Sequence, residues 1–174
     1  MENKTQQIFT RFILMGVDYF IVSFISIIVV IPFFIISLIN EKSLLDTNSI
    51  YFWLRSLSMM IAYSIIMNKD IFDSKSPGKR IFKYQVLHNK TNLPASPIQC
   101  LLRNLTFIFW PIECLAILIN PNRRLGDFIA NTKVVKVDFP EKRIVKLYQI
   151  TLLLFLGFCY SLLLMTPYYY LILK

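Results

Sequence analysis

The sequence predicts an all-α membrane protein: a small helical bundle of three spanning helices and one further apolar segment, third in chain order, that is broken or re-entrant. A short β-ribbon is expected in its cytoplasmic loops. Three observations carry this. Hydrophobic residues make up 56% of the 174-residue chain, charged residues 17%, and mean hydropathy is +0.56, too apolar for an ordinary soluble domain. The apolar residues gather into four runs near the roughly 20 residues that a helix needs to cross a bilayer. Two β-rich runs, Lys83 to His88 and Thr132 to Val137, flank the third of them. There is room for one domain only, with residues 1–146 as its membrane-embedded body and residues 147–174 as a C-terminal helix packed on that body.

The formal net charge of +9 would suit nucleic acid if it lined one soluble face, but the Lys and Arg lie in loops between apolar runs. The expected partners are therefore the lipid bilayer, its anionic headgroups, and a second copy or a larger membrane protein; nucleic acid is not one. Cys100, Cys114 and Cys159 sit in apolar segments without CxxC spacing, and His88, the only histidine, sits in a polar loop. No metal, cofactor or catalytic residue is expected. An enzyme is the weakest reading, since Asp18 with Glu113 is the one conceivable acid–base couple.

From Phe12 to Ile39 the chain is almost wholly apolar, and at about 1.5 Å per residue it exceeds the hydrocarbon thickness, so a tilted or kinked helix is expected. Pro32 marks either the kink or the point where the helix leaves the core. The run is too long for a signal-peptide core and lacks a small-residue cleavage site, so it reads as an uncleaved span. Arg11 and Asp18, seven residues apart, project from nearly the same face of this helix. An Asp at the centre of a span costs roughly 2.5 to 3.5 kcal/mol, so even nearer the end Asp18 needs a partner or a water-filled crevice. It is then either half of a structural ion pair or an ion or proton site.

A short polar connection leads to a second span, Ile50 to Met67, whose Arg55 lies near enough to its start to snorkel. The loop from Asn68 to Pro97 is basic and contains Ser76-Pro77-Gly78-Lys79, a turn signal before a candidate strand. Gly78-Lys79 lacks the upstream glycine and following Ser or Thr of a phosphate loop. The third apolar segment, Pro97 to Ile119, carries Arg103, Asn104 and Glu113, and Trp110-Pro111 is a place for it to break. The basic stretch after it, Asn122 to Val135, holds Arg124, Gly126, which lets the chain turn, and Asp127, which either caps a short helix beginning at Phe128 or serves as a ligand. Leu147 to Leu173 reads as a plain anchor with Gly157, Ser161 and Thr166 as a small packing face and Tyr168 to Tyr170 at the interface.

Set side by side, these pieces resemble a known family. Arg11 and Asp18 in the first span, Pro77-Gly78-Lys79-Arg80, Arg103-Asn104, and Arg124-Leu125-Gly126-Asp127 with Ala130, Thr132 and Val134-Val135 look like the RDD family of membrane proteins over about residues 11–137. By that resemblance the arginine and two aspartates of the family's name fall at Arg11, Asp18 and Asp127. Transport has been proposed for the family, so the resemblance implies a small transporter.

Short-loop Lys and Arg favour the cytoplasm, and the first connection has only Lys42 while the second has six such residues. The N-terminus is expected on the cytoplasmic side of a bacterial cytoplasmic membrane. If the third segment crossed fully, the basic loops before and after it would face opposite sides and the two β-rich runs could not pair. A re-entrant segment avoids both conflicts. The alternative, four full spans, would bring Glu113 to the depth of Arg55. On the re-entrant topology Arg11, Asp18, Arg103, Arg124 and Asp127 converge near the cytoplasmic end, with Asp18–Arg103 and Arg11–Asp127 as the expected pairs. Two functions follow: a small transporter such as a cation/proton exchanger working through Asp18 and the nearby arginines, or a non-catalytic scaffold that docks another membrane protein or anionic lipid.

Overall fold

A computed structural model of the chain describes residues 4–40, 49–138 and 144–172. In order these form α1 (Lys4–Ile39), α2 (Ile50–Met67), α3 (Pro77–Ile81), β1 (Tyr84–His88), α4 (Pro97–Leu105), a 3₁₀ turn (Thr106–Phe109), α5 (Trp110–Ile119), α6 (Leu125–Ile129), β2 (Thr132–Lys136) and α7 (Leu147–Ile172). Among the described residues four apolar helical stretches are long enough to cross a membrane: Lys4–Ile39, Ile50–Met67, Pro97–Ile119 and Leu147–Leu171. The first continues through Pro32, so the proline does not end the helix.

Lipid solvates apolar side chains as well as a protein interior does, so the long helices are joined by small and polar groups. The Ser26 hydroxyl on α1 donates to the Ala62 carbonyl on α2 at 3.5 Å. Ser64 of α2 and Asn68, its C-cap, donate to the carbonyls of Leu154 and Leu153 on α7 at 2.7 and 3.1 Å. Ser161 returns a hydrogen bond to Met60 at 3.3 Å, and Tyr169 stacks on Trp53 at 5.9 Å, so α7 runs antiparallel to α2. A Cβ on Gly157 would stand 2.8 Å from the Asn68 amide, so glycine sets the closeness of this pair. Thr166, expected on the same packing face, is exposed and bonds within its own helix. Outward, Phe20, Phe24 and Ile28 are exposed, as suits a lipid-facing side.

The third apolar stretch is interrupted. Its helix begins with Ser96 and Gln99 as a capping box and changes to the 3₁₀ turn before Trp110-Pro111; the break falls at Phe109 (φ −92°, ψ 35°), and Pro111, in the first turn of α5, starts the new helix. Contacts reach across the interruption: the Thr106 hydroxyl hydrogen-bonds Glu113, and Arg124 reaches Asn104 at 2.7 Å.

On either side of this segment, β1 and β2 pair antiparallel, with Val86 opposite Val134 and His88 opposite Thr132, as the two β-rich runs predict. The inner face of the ribbon packs Tyr84, Val86 and Val134 with Ala95 and Cys100 against Leu14 of α1. The ribbon therefore sits against the N-terminal part of α1.

Candidate functional site

Asp18 is 2% exposed, and three donors from one short segment converge on it. They are the Ser76 hydroxyl, the Gly78 amide at 2.8 Å and the Lys79 ammonium at 2.8 Å. Pro77 at the first position of α3 leaves the next amide free to point outward, and the Ser76 hydroxyl, a natural helix cap, turns to the carboxylate instead. A Cβ on Gly78 would stand 2.6 Å from the Asp18 carboxylate oxygen. The glycine is there for close approach. No glycine has positive φ, so the expected turning role of Gly126 gives way to the same explanation: a Cβ there would collide with the Arg103 carbonyl.

The expected Asp18–Arg103 pair is not formed, because Lys79 lies between them. Its ammonium also bonds Asp70 at 2.8 Å, and Asp70 in turn accepts from Asn104 at 3.2 Å and lies 3.8 Å from Arg103. Asp70 is fully buried and joins the two halves of the network, a role that sequence reasoning missed. The available signal was its position, three residues past the end of an apolar span. Burial alone would raise its carboxyl, but Lys79, Arg103 and Lys69 outweigh that and hold it well below the usual carboxylate range.

Arg103, 1% exposed, sits 3.0 Å from Asp127 as an ion contact without an aligned hydrogen bond. Asp127 is the third residue of α6, not the cap of a helix beginning at Phe128. It accepts from the Arg124 amide at 3.2 Å and the Thr132 hydroxyl at 3.0 Å, which ties α6 to β2. Burial opposes its ionised form, yet Arg103, Arg124 and Arg11 hold it below its ordinary value. Arg124 pairs with the fully buried Glu113 at 3.0 Å, so Glu113 finds its cation there and not in Arg55, which rests over the Phe52 ring. Burial disfavours the Arg124 charge, but Glu113, Tyr19 and Asp127 raise its pKa above normal. Arg11 donates to the carbonyls of Val134 and, at 3.3 Å, Asn122, in place of the expected bond to Asp127.

A cavity of about 40 Å³ opens on this network, lined by Arg11, Lys69, Lys79, Arg103 and Arg124 together with Asp18 and Asp127. Lys69 was a second omission of sequence reasoning. Its ammonium lies 3.6 Å over the Tyr19 ring, and burial, with Lys79 and Arg124 nearby, pulls it down to about 7 against the opposing pull of Asp70 and Asp18. Among the described residues no group of three or more His, Cys, Asp or Glu is placed to hold a metal ion.

An apolar bundle with a buried charged centre at one end defines an integral membrane protein with a polar site inside it. The chain belongs to the RDD family, whose family model matches residues 5–173 and so extends through α7 as well as the motif residues. No curated protein and no solved structure matches it.

Proposed function

We propose that the protein is a small-ion carrier of the bacterial cytoplasmic membrane whose binding centre is the cavity at the ribbon end of the bundle. The supporting observation is that cavity, lined by five cations and two carboxylates within an otherwise apolar helical bundle. Ionisable groups at membrane depth are costly, and where they cluster they commonly mark ion pathways. Cation/proton exchange, the form of transport suggested by the sequence, requires Asp18 to trade its Lys79 partner for a cation.

The proposal takes the third segment as re-entrant. Two observations favour this: α4 has nine residues, about 14 Å or half the hydrocarbon, and the strands before and after the segment are paired. Both basic loops and the N-terminus then share the cytoplasmic side, in keeping with the positive-inside rule. The carrier performs no covalent chemistry and works as an oligomer, since one chain has no second repeat to rock against.

The test is flux in proteoliposomes with imposed pH, Na⁺, K⁺ and chloride gradients, wild type beside Asp18→Asn. Protein-dependent flux that disappears in a folded variant is expected. Wild-type vesicles no leakier than empty ones would remove the carrier reading.

A second reading has its own support. The four carboxylates that are buried among the described residues all hold cations, as a structural clamp would require, and a scaffold needs no conduit. It predicts that Asp18→Asn lowers stability with no flux to lose, and that neutralising Lys79 as well restores part of the loss.

A further inference from the structure

The charges at the ribbon end do not balance. Three cations satisfy all four carboxylates: Lys79 lies 2.8 Å from both Asp18 and Asp70, Arg103 3.0 Å from Asp127, and Arg124 3.0 Å from Glu113. Arg11 and Lys69 have no carboxylate within 4.0 Å among the described residues. The cluster thus holds one cation more than its carboxylates, and both unmatched side chains line the cavity. Two buried guanidinium nitrogens, Nη1 of Arg103 and Nε of Arg124, find no hydrogen-bond acceptor, and these arginines line it too. A half-buried charge without a counter-ion and unsatisfied buried donors are each destabilising. One monovalent anion would relieve both. Since a water needs roughly 10–15 Å³ of such space, a cavity of about 40 Å³ admits a small ion.

We propose that this cavity binds one small monovalent anion, of chloride size, with Lys69 protonated beside it. This names the ion of the carrier reading and rests on that reading for movement across the membrane, while binding stands by itself. The cluster reaches neutrality in two ways: anion bound with Lys69 charged, or water in the cavity with Lys69 neutral. Lys69 changes state near pH 7 in the empty site. The charged and titratable groups around it are Asp18, Arg11 and Tyr19 on α1, Asp70 beside it, Lys79 on α3, Arg103 on α4, and Arg124 and Asp127 at α6. Anion arrival favours the ammonium, so anion and proton bind together.

The experiment titrates chloride into the purified full-length protein in detergent by calorimetry, with gluconate holding ionic strength constant, at pH 6 and pH 8. Wild type should bind about tenfold more weakly at pH 8, in line with the protonated fraction of Lys69. Lys69→Met removes a cation that makes no ion pair, so the fold should persist, and it should weaken binding tenfold or more. Lys69→Arg should bind at both pH values alike. No chloride binding by folded wild type, or binding unaltered in both variants, overturns the proposal. Flux in vesicles separates the two readings. Cation flux without chloride binding overturns the anion site and keeps the carrier, whereas chloride binding without flux keeps the site and removes the carrier.

Discussion

At the ribbon end of the bundle, Asp18, Asp70, Arg103, Glu113, Arg124 and Asp127 are each 7% exposed or less and are joined into one network of ion pairs and hydrogen bonds. Along α2 and α7 the contacts are of another kind, single hydroxyls and one amide reaching a facing carbonyl around Gly157. The difference follows from the solvent. Lipid gives apolar surfaces little reason to associate, so α2 and α7 need only close approach and a few weak polar contacts. Buried carboxylates have no such tolerance, and each of the four holds its particular cation.

The largest test of this contrast is Asp70→Asn. Removing one member of a buried pair leaves the others uncompensated, at a cost of roughly 3–5 kcal/mol. Unfolding in detergent should show it, and a loss under about 1 kcal/mol would mean that Asp70 does not join the two halves. Next comes pH. The Lys69 pKa is lowered on folding, so above about pH 7 the folded state releases a proton that the unfolded chain keeps until near its ordinary value of 10.5. Stability should therefore rise from pH 7 towards 10, by at most about 1.4 kcal/mol per unit, and Lys69→Met should flatten that slope. Asp70 and Asp127 act in the other direction: their contribution is complete above about pH 4 and is lost on acidification below it. The smallest effect is expected at the apolar contact, where Ser64→Ala should cost about 0.6 kcal/mol, and a loss as large as that of Asp70→Asn would erase the distinction.

The same contrast explains what could be read from the sequence. Apolar runs announce helices of membrane length, and alternating β-branched residues announced the ribbon. Six members of the charged cluster were recognisable because a charge inside or beside an apolar run stands out. Their pairing was hidden. Spacing along a helix gives the depth of Asp18 but not which cation reaches it, and α3, at five residues, is too short for any periodicity to show that it would present Lys79. Lys69 and Asp70 were read as ordinary loop charges because they lie just beyond the last apolar residue of α2, Met67, and only the packed structure reveals that Asp70 is buried there and Lys69 half-buried.

The ion pairs also set a timetable for synthesis. Glu113 waits only 11 residues for Arg124, so that pair can form almost as soon as the third segment is made. Asp18 waits 61 residues for Lys79, by which time all of α2 has been translated. The first helix is thus complete before any partner of its carboxylate has been made, and Asp18 lies well inside that helix, in its N-terminal half.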